Sequence, residues 1–146
     1  MTKIETYRRL IILRAQLEKI VFKEFFKQYD MPKGLKQVHG MTLLKLKYRK
    51  IMSMTELSQA LNLEKASVTT IADKLLQSGL IESKRSNEDR RVYNLTLTKL
   101  GLDFANRFEK HHQEFLSNKF EEYTSKEVNK LCDSLEYITD MFEEIL

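Results

Sequence analysis

The chain has few residues that could brace or interrupt it. One cysteine among 146 residues excludes an internal disulfide framework and a cysteine-rich zinc site. One proline and four glycines leave few breaks, so helix should dominate. No apolar run approaches the roughly 18 residues that span a bilayer. The opening MTKIETYRRL lacks the apolar stretch of a secretory signal. These absences predict a cytoplasmic protein with no membrane partner.

What is present is enough apolar material for a core and much charge. At 42% hydrophobic the chain can fold as one domain, or one domain extended by helices, and is not a disordered polymer. The net charge of +4 is unevenly spread. Residues 1–40 carry 9 basic and 4 acidic side chains, residues 41–100 carry 11 and 6, and residues 101–146 carry 5 and 11. A basic first two-thirds suits a polyanion, while the acidic remainder needs another role.

Ile4 to Tyr29 contains no glycine or proline, and its apolar residues recur at helical spacings on more than one stripe. Such a helix would be roughly 40 Å long, more than a small core can cover. Asp30 to Gly34, with Pro32, breaks it. A second helix is predicted over about Lys36–Lys47, with Gly40 inside it as a point of close packing. Ser53-Met54-Thr55-Glu56 fits a capping box that opens a short helix, and Asn62 suits the left-handed turn that ends it. A further helix runs from about Lys65 to Ser78, with Val68, Ile71, Ala72, Leu75 and Leu76 inward, and Gly79 stops it. Leu80–Arg85 and Arg91–Leu97 then alternate as two strands about a polar tip. Thr98 caps a helix expected from Leu102, marked by Phe104, Phe108, Phe115 and Phe120. After Thr124 or Ser125 a last helix carries Val128, Leu131, Leu135, Ile138, Phe142 and Ile145 at spacings of three and four, a seam for another helix.

Helix, short helix, tight turn, helix and ribbon make a winged helix-turn-helix, a mainly α (α+β) fold. The second helix of such a pair sets its N-terminal residues into the DNA major groove. Here those are Lys65, Ala66, Ser67, Thr69 and Thr70, with Lys74 one turn further toward phosphate. Lysine and hydroxyl groups suit phosphates or base edges, and alanine and threonine methyls suit thymine methyls. The bland alternative is a solvated scaffold face, which would more often carry glutamate, lysine or glutamine.

The run from Met54-Thr55-Glu56-Leu57-Ser58 to Ser78-Gly79-Leu80-Ile81 resembles the MarR family of bacterial transcription regulators. So does Asp89-Arg90-Arg91, followed by Leu97-Thr98-Lys99-Leu100-Gly101, which is similar to the family's wing signature. The resemblance implies a homodimer on a palindromic operator, with one winged helix per subunit over residues 35–101. Residues 1–34 and 102–146 would form the dimerisation region, using Ile4, Ile11 and Leu17 with the last helix's seam. Lys84, Arg85, Asp89, Arg90 and Arg91 become the wing's DNA contacts, with Arg91 in the minor groove and Asp89 orienting it. A narrow A·T-rich minor groove concentrates negative potential and favours arginine. Asp89 would also serve a simple turn. Glu64 departs from the small residue usual before the family's recognition helix.

The family's response to small molecules or to cysteine oxidation suggests an effector pocket, for which Tyr29, His39, Met41 and Phe108 are candidates; they are equally core residues. Cys132 lies beside the last seam, where a cysteine is most often a small hydrophobe. The first helix has no cysteine near its start, where oxidation-sensing members carry one. His39, His111 and His112 lack metal-ligand spacing, and no catalytic or cofactor motif appears. The sequence thus predicts a DNA-binding transcription regulator, a repressor in its simplest form, and not an enzyme. Two rival functions are a winged-helix protein-interaction module and an architectural DNA-binding protein of low specificity.

Overall fold

The structure is a computed structural model and describes residues 2–143. Ile145, counted in the last seam, lies outside the described residues. The chain divides into two compact units, Met1–His112 and Gln113–Leu146.

The first helix, α1 (Lys3–Glu18), starts at a capping box. Thr2 Oγ1 accepts from the Glu5 N–H at 3.2 Å, and the Glu5 carboxylate accepts from the Thr2 N–H at 2.6 Å. No residue of α1 is buried. The helical path continues through a π-helical turn, Lys19–Lys23, into α2 (Glu24–Gln28). The sequence pattern does not foretell this wide turn, because apolar spacing is blind to one extra residue per turn. In it the Val21 carbonyl accepts from His112 Nε2 at 2.8 Å.

Helix α3 (Gln37–Arg49) carries the core's Leu43 and Leu46. Gly40 packs against an aromatic ring as expected: a Cβ there would lie 2.9 Å from Phe108 Cζ. Lys50 ends α3 at φ 65°, a strained angle for a side chain that long. A two-residue strand, β1 (Met52–Ser53), follows, too short for any period to announce.

Helix α4 (Met54–Leu61) has the predicted capping box, with Glu56 N–H to Ser53 Oγ at 3.2 Å and Ser53 N–H to the Glu56 carboxylate at 2.7 Å. These bonds hold the Glu56 carboxyl below its ordinary range. Asn62 is left-handed at φ 51°, as predicted. Helix α5 (Lys65–Gln77) buries Val68, Ile71, Ala72 and Leu75, with Leu76 only half-buried. Gly79 at φ 68° lets the Leu80 N–H reach back to the Leu75 carbonyl at 3.0 Å, folding buried Leu80 beneath the helix.

Strands β2 (Ile81–Arg85) and β3 (Tyr93–Leu97) pair antiparallel, from Ile81 opposite Leu97 to Arg85 opposite Tyr93. They begin one and two residues later than predicted, because Leu80 belongs to the helix stop and Val92 to the tip. The sheet order is β1-β3-β2. Its inner face meets the helices through Met52, Ile81 and Leu95, all buried.

Helix α6 (Lys99–Lys119) starts before the expected Leu102, because Thr98 caps it: Thr98 Oγ1 accepts from the Gly101 N–H at 3.1 Å. Phe104 and Phe108 are buried on it, whereas Phe120 falls in the turn beyond its end. Helix α7 (Ser125–Glu143) opens on a third capping box, Thr124 with Glu127, and buries none of its residues. Among the described residues no helix is long and apolar enough to cross a membrane.

Candidate nucleic-acid interface

The turn Asn62–Glu64 delivers α5 against α4. Ser58 ties the turn down, donating its hydroxyl to the Leu63 carbonyl at 2.6 Å and accepting the Leu63 N–H on its own carbonyl at 3.2 Å. Because α5 buries one stripe, the opposite stripe is exposed. Lys65, Ala66, Ser67, Thr69 and Thr70 all stand on exposed positions. Thr69 and Thr70 donate their hydroxyls to the Lys65 and Ala66 carbonyls at 2.9 and 3.3 Å. Each hydroxyl oxygen keeps acceptor capacity on an exposed residue, which suits base amino groups.

Lys74 stands apart from these five. It is half-buried, and a Cβ on Gly34 would meet its Nζ at 2.9 Å, so its ammonium leans over the α2–α3 loop. Asp73 and Gln77 continue the exposed stripe instead, each two turns beyond Ala66 and Thr70 respectively. The helical period could have found both. Glu64 gives α5 no side-chain cap.

The wing tip is closed by its own polar groups. Ser86 Oγ accepts from the Glu88 N–H at 3.2 Å, and the Ser86 N–H reaches the Val92 carbonyl at 2.8 Å. Asp89 accepts from the Arg91 backbone N–H at 2.9 Å. Its carboxylate thus shapes the turn, and among the described residues it makes no ion pair with Arg90 or Arg91. Those two guanidinium groups are exposed and have no acidic partner among the described residues. Lys84 is paired to Glu82 at 2.9 Å, which holds the Glu82 carboxyl below its usual range. Arg85 donates Nε–H to the Tyr93 hydroxyl at 3.1 Å.

The four pocket candidates separate. Tyr29 and Phe108 meet edge to face at 5.2 Å between ring centres, in a cluster with Phe25. His39 is buried, its Nδ1 accepting from the Lys36 N–H at 2.8 Å. Burial holds its imidazole below the ordinary value. Met41 alone of the four lines a cavity of about 560 Å³, with Phe22, Val38, Ala60 and Leu61 as apolar wall and Lys36, Gln37 and Lys45 as polar rim. Among the described residues no cluster of three metal-ligating side chains exists.

The apolar residues proposed for dimer contact are uncovered within their own units. On α1, Ile4, Ile11 and Leu17 are 66%, 51% and 43% exposed; on α7, Leu131, Leu135 and Phe142 are 41%, 45% and 38%. Val128 and Ile138 are half-buried, and Cys132 is exposed.

The model of the MarR family matches residues 35–93, which run from the start of α3 through the wing tip. The uncharacterized HTH-type transcriptional regulator YwhA of Bacillus subtilis (strain 168) is 30% identical over 105 residues, covering 69% of this chain and 75% of that protein. The chain belongs to the MarR family. The HTH-type transcriptional regulator PapX of Escherichia coli is 28% identical over 116 residues, covering 80% of this chain and 67% of its own. Streptococcus pneumoniae FabT, solved in complex with DNA, shares the MarR fold at a TM-score of 0.74 and 21% identity, covering 96% of this chain and 99% of that one. The MarR-family relatives are named as regulators, not as enzymes, and regulation of transcription through DNA is the activity the family brings to this fold.

Proposed function

We propose that this chain is a homodimeric, sequence-specific repressor that reads a palindromic operator. The observation that carries this function is the pairing of two free surfaces. The N-terminal half of α5 exposes Lys65, Ala66, Ser67, Thr69 and Thr70, and the wing exposes Arg90 and Arg91, which have no acidic partner among the described residues. These exposed guanidinium groups raise the positive potential of the tip and attract a polyanion. FabT, of similar fold, was solved in complex with DNA, which supports DNA as the partner.

Two copies would present two recognition helices about one helical turn of DNA apart. Residues 1–34 and 102–146 supply the dimer contacts, residues 35–101 the DNA contacts. Release by a small molecule fits the 560 Å³ cavity beside α3 and α4, with Lys36 and Lys45 at its rim. A regulator of this kind works in the cytoplasm, where DNA is.

The test is selection of bound duplexes from genomic DNA, followed by titration of the recovered sequence at several salt concentrations. Specific binding with a steep salt slope is the expected result. Arg91→Ala should weaken operator binding by about 1–3 kcal/mol. Equal affinity for every A·T-rich duplex would replace the repressor with an architectural protein, and unchanged affinity in Arg91→Ala would remove that arginine from the interface.

A further inference from the structure

The five wing residues are held in very different ways. Lys84 is neutralised by Glu82 at 2.9 Å. Arg90 and Arg91 sit on the tip with no side-chain partner among the described residues. Arg85 alone is fixed without being neutralised. It stands directly opposite Tyr93 in the β2–β3 ladder. Its Nε–H donates to the Tyr93 hydroxyl at 3.1 Å, and its guanidinium carbon lies 5.6 Å from the centre of the Tyr93 ring.

The geometry leaves a particular set of donors over. Nε is used by the hydroxyl, so the two terminal NH₂ groups remain as a fork with full positive charge. Side chains alternate along a strand, so Arg85 and Tyr93 share the sheet face of buried Ile81 and Leu95. They are the last pair of that face before the tip, and they extend past the core on the side that carries the helices. Glu82 and Lys84 occupy the opposite face. A planar fork held by a neutral aromatic partner is built for an oxygen anion with two acceptors, which is the phosphodiester of a DNA backbone.

We propose that Tyr93 is a positioning residue which presents Arg85 as a preformed phosphate clamp at the base of the wing. This role presupposes the DNA-binding function proposed above. The unpartnered tip arginines must give up rotamer freedom on binding, whereas Arg85 has already done so in the free protein. Arg85 is therefore a sequence-independent anchor that sets the wing's depth, and tyrosine, not lysine or serine, is needed across from it because only an aromatic ring with a hydroxyl supplies both contacts without cancelling the charge.

The test uses the full-length protein and the duplex recovered by selection, with Arg85→Ala, Tyr93→Ala, Tyr93→Phe and the double alanine variant. Urea midpoints first establish that each variant is folded; Tyr93 is 45% exposed, so its loss should leave the fold intact. Arg85→Ala should weaken binding about tenfold. It should also flatten the plot of log affinity against log salt by about 0.9 for each phosphate that Arg85 neutralises in the wild type. Tyr93→Ala should weaken binding about fivefold with the salt slope unchanged, because the charge stays but is no longer held. Tyr93→Phe keeps the ring but loses the acceptor for Nε–H, and should recover only part of that affinity. Adding Tyr93→Ala to Arg85→Ala should cost nothing more. Additive losses, or wild-type affinity in Tyr93→Ala, would overturn the positioning role. A wild-type protein that prefers no duplex over random DNA would instead overturn the repressor function itself.

Discussion

At the scale of single residues, Gly101 shows how tightly the wing and α6 are joined. A Cβ built there would stand 1.8 Å from the Leu80 carbonyl oxygen and 2.8 Å from its carbon. That carbonyl is not free to move. It accepts the Thr98 N–H at 3.1 Å, and Leu80 is itself pinned by the Gly79 turn. Replacing Gly101 with alanine has two opposed effects. Alanine favours a helix by about 1 kcal/mol over glycine, but a backbone clash of this depth costs about 1–3 kcal/mol or more. The clash should win, and Gly101→Ala should lower the urea midpoint with little change in m. Gly79→Ala provides the contrast: nothing lies within 4 Å of its added Cβ, and the only penalty is the φ of 68°, about 1 kcal/mol. A Gly101→Ala protein as stable as wild type would mean that α6 can slide away from β2 at no cost.

At the scale of elements, α3 depends on an unusual start. Lys36 precedes the helix, and the acceptor for its N–H is the Nδ1 of His39, three residues on. An acceptor nitrogen requires a neutral ring protonated on Nε2. Protonating Nδ1 would turn the acceptor into a donor facing another donor. Burial disfavours the cation, and the nearby Lys36 and Lys74 charges add to it, so the folded imidazole titrates below the ordinary 6.5. Between the lowered and the ordinary value the unfolded chain binds more protons, so stability is full above about pH 6.5 and falls as pH drops below it. His39→Gln keeps a side-chain acceptor three residues after Lys36 and cannot titrate. Thermal unfolding from pH 7.5 to 5 should therefore show wild type losing stability relative to His39→Gln. The capping carboxylates Glu5, Glu56 and Glu127 are all held below 4.5 and stay ionised across that range. Parallel curves would show that the His39 cap does not respond to protons.

The same helices show what a sequence makes legible. Ser53 with Glu56, Asn62 and Gly79 announce the helix-turn-helix because each relieves a local backbone demand with local chemistry. The wing follows from alternation plus the Asp89-Arg90-Arg91 tip. The π-helical turn at Lys19–Lys23 and the two-residue β1 are not legible. The first obeys the same apolar spacing as an α-helix, and the second exists only because β3 lies beside it. The lining of the cavity is not legible either, for a related reason. Tyr29, His39 and Phe108 are apolar or amphipathic residues near a bend, and only tertiary packing decides that their rings fill space while Phe22, Val38 and Leu61 border it. Lys74 leans toward Gly34, a choice that helical phase alone leaves on the margin.

For the whole molecule, the deciding fact is apolar surface left in water. Helix α1 buries nothing, yet Ile4, Tyr7 and Ile11 recur along it and are all more than half exposed. Helix α7 likewise buries nothing and exposes Leu131, Leu135, Met141 and Phe142 along one run. Apolar area in water costs about 25 cal/mol per Å², and side chains arranged at helical spacing lose that cost together when a second helix covers them. The proposed repressor, which must reach two half-sites, would find that cover in a second copy of itself. In that proposed dimer, association would govern affinity as well as shape. Once one winged helix is bound, the second searches at an effective concentration in the millimolar range, so losing the dimer should cost operator affinity at least about 100-fold without touching a DNA contact. Leu135→Glu places a charge in the middle of the α7 run while its own helix, already solvated there, remains folded. Sedimentation should find wild type dimeric at micromolar concentration and Leu135→Glu largely monomeric, with operator affinity falling in step and helical content preserved by circular dichroism. A monomeric wild type, or a monomeric Leu135→Glu that still holds the operator as tightly, would separate DNA binding from dimerisation and assign the exposed faces of α1 and α7 to another partner.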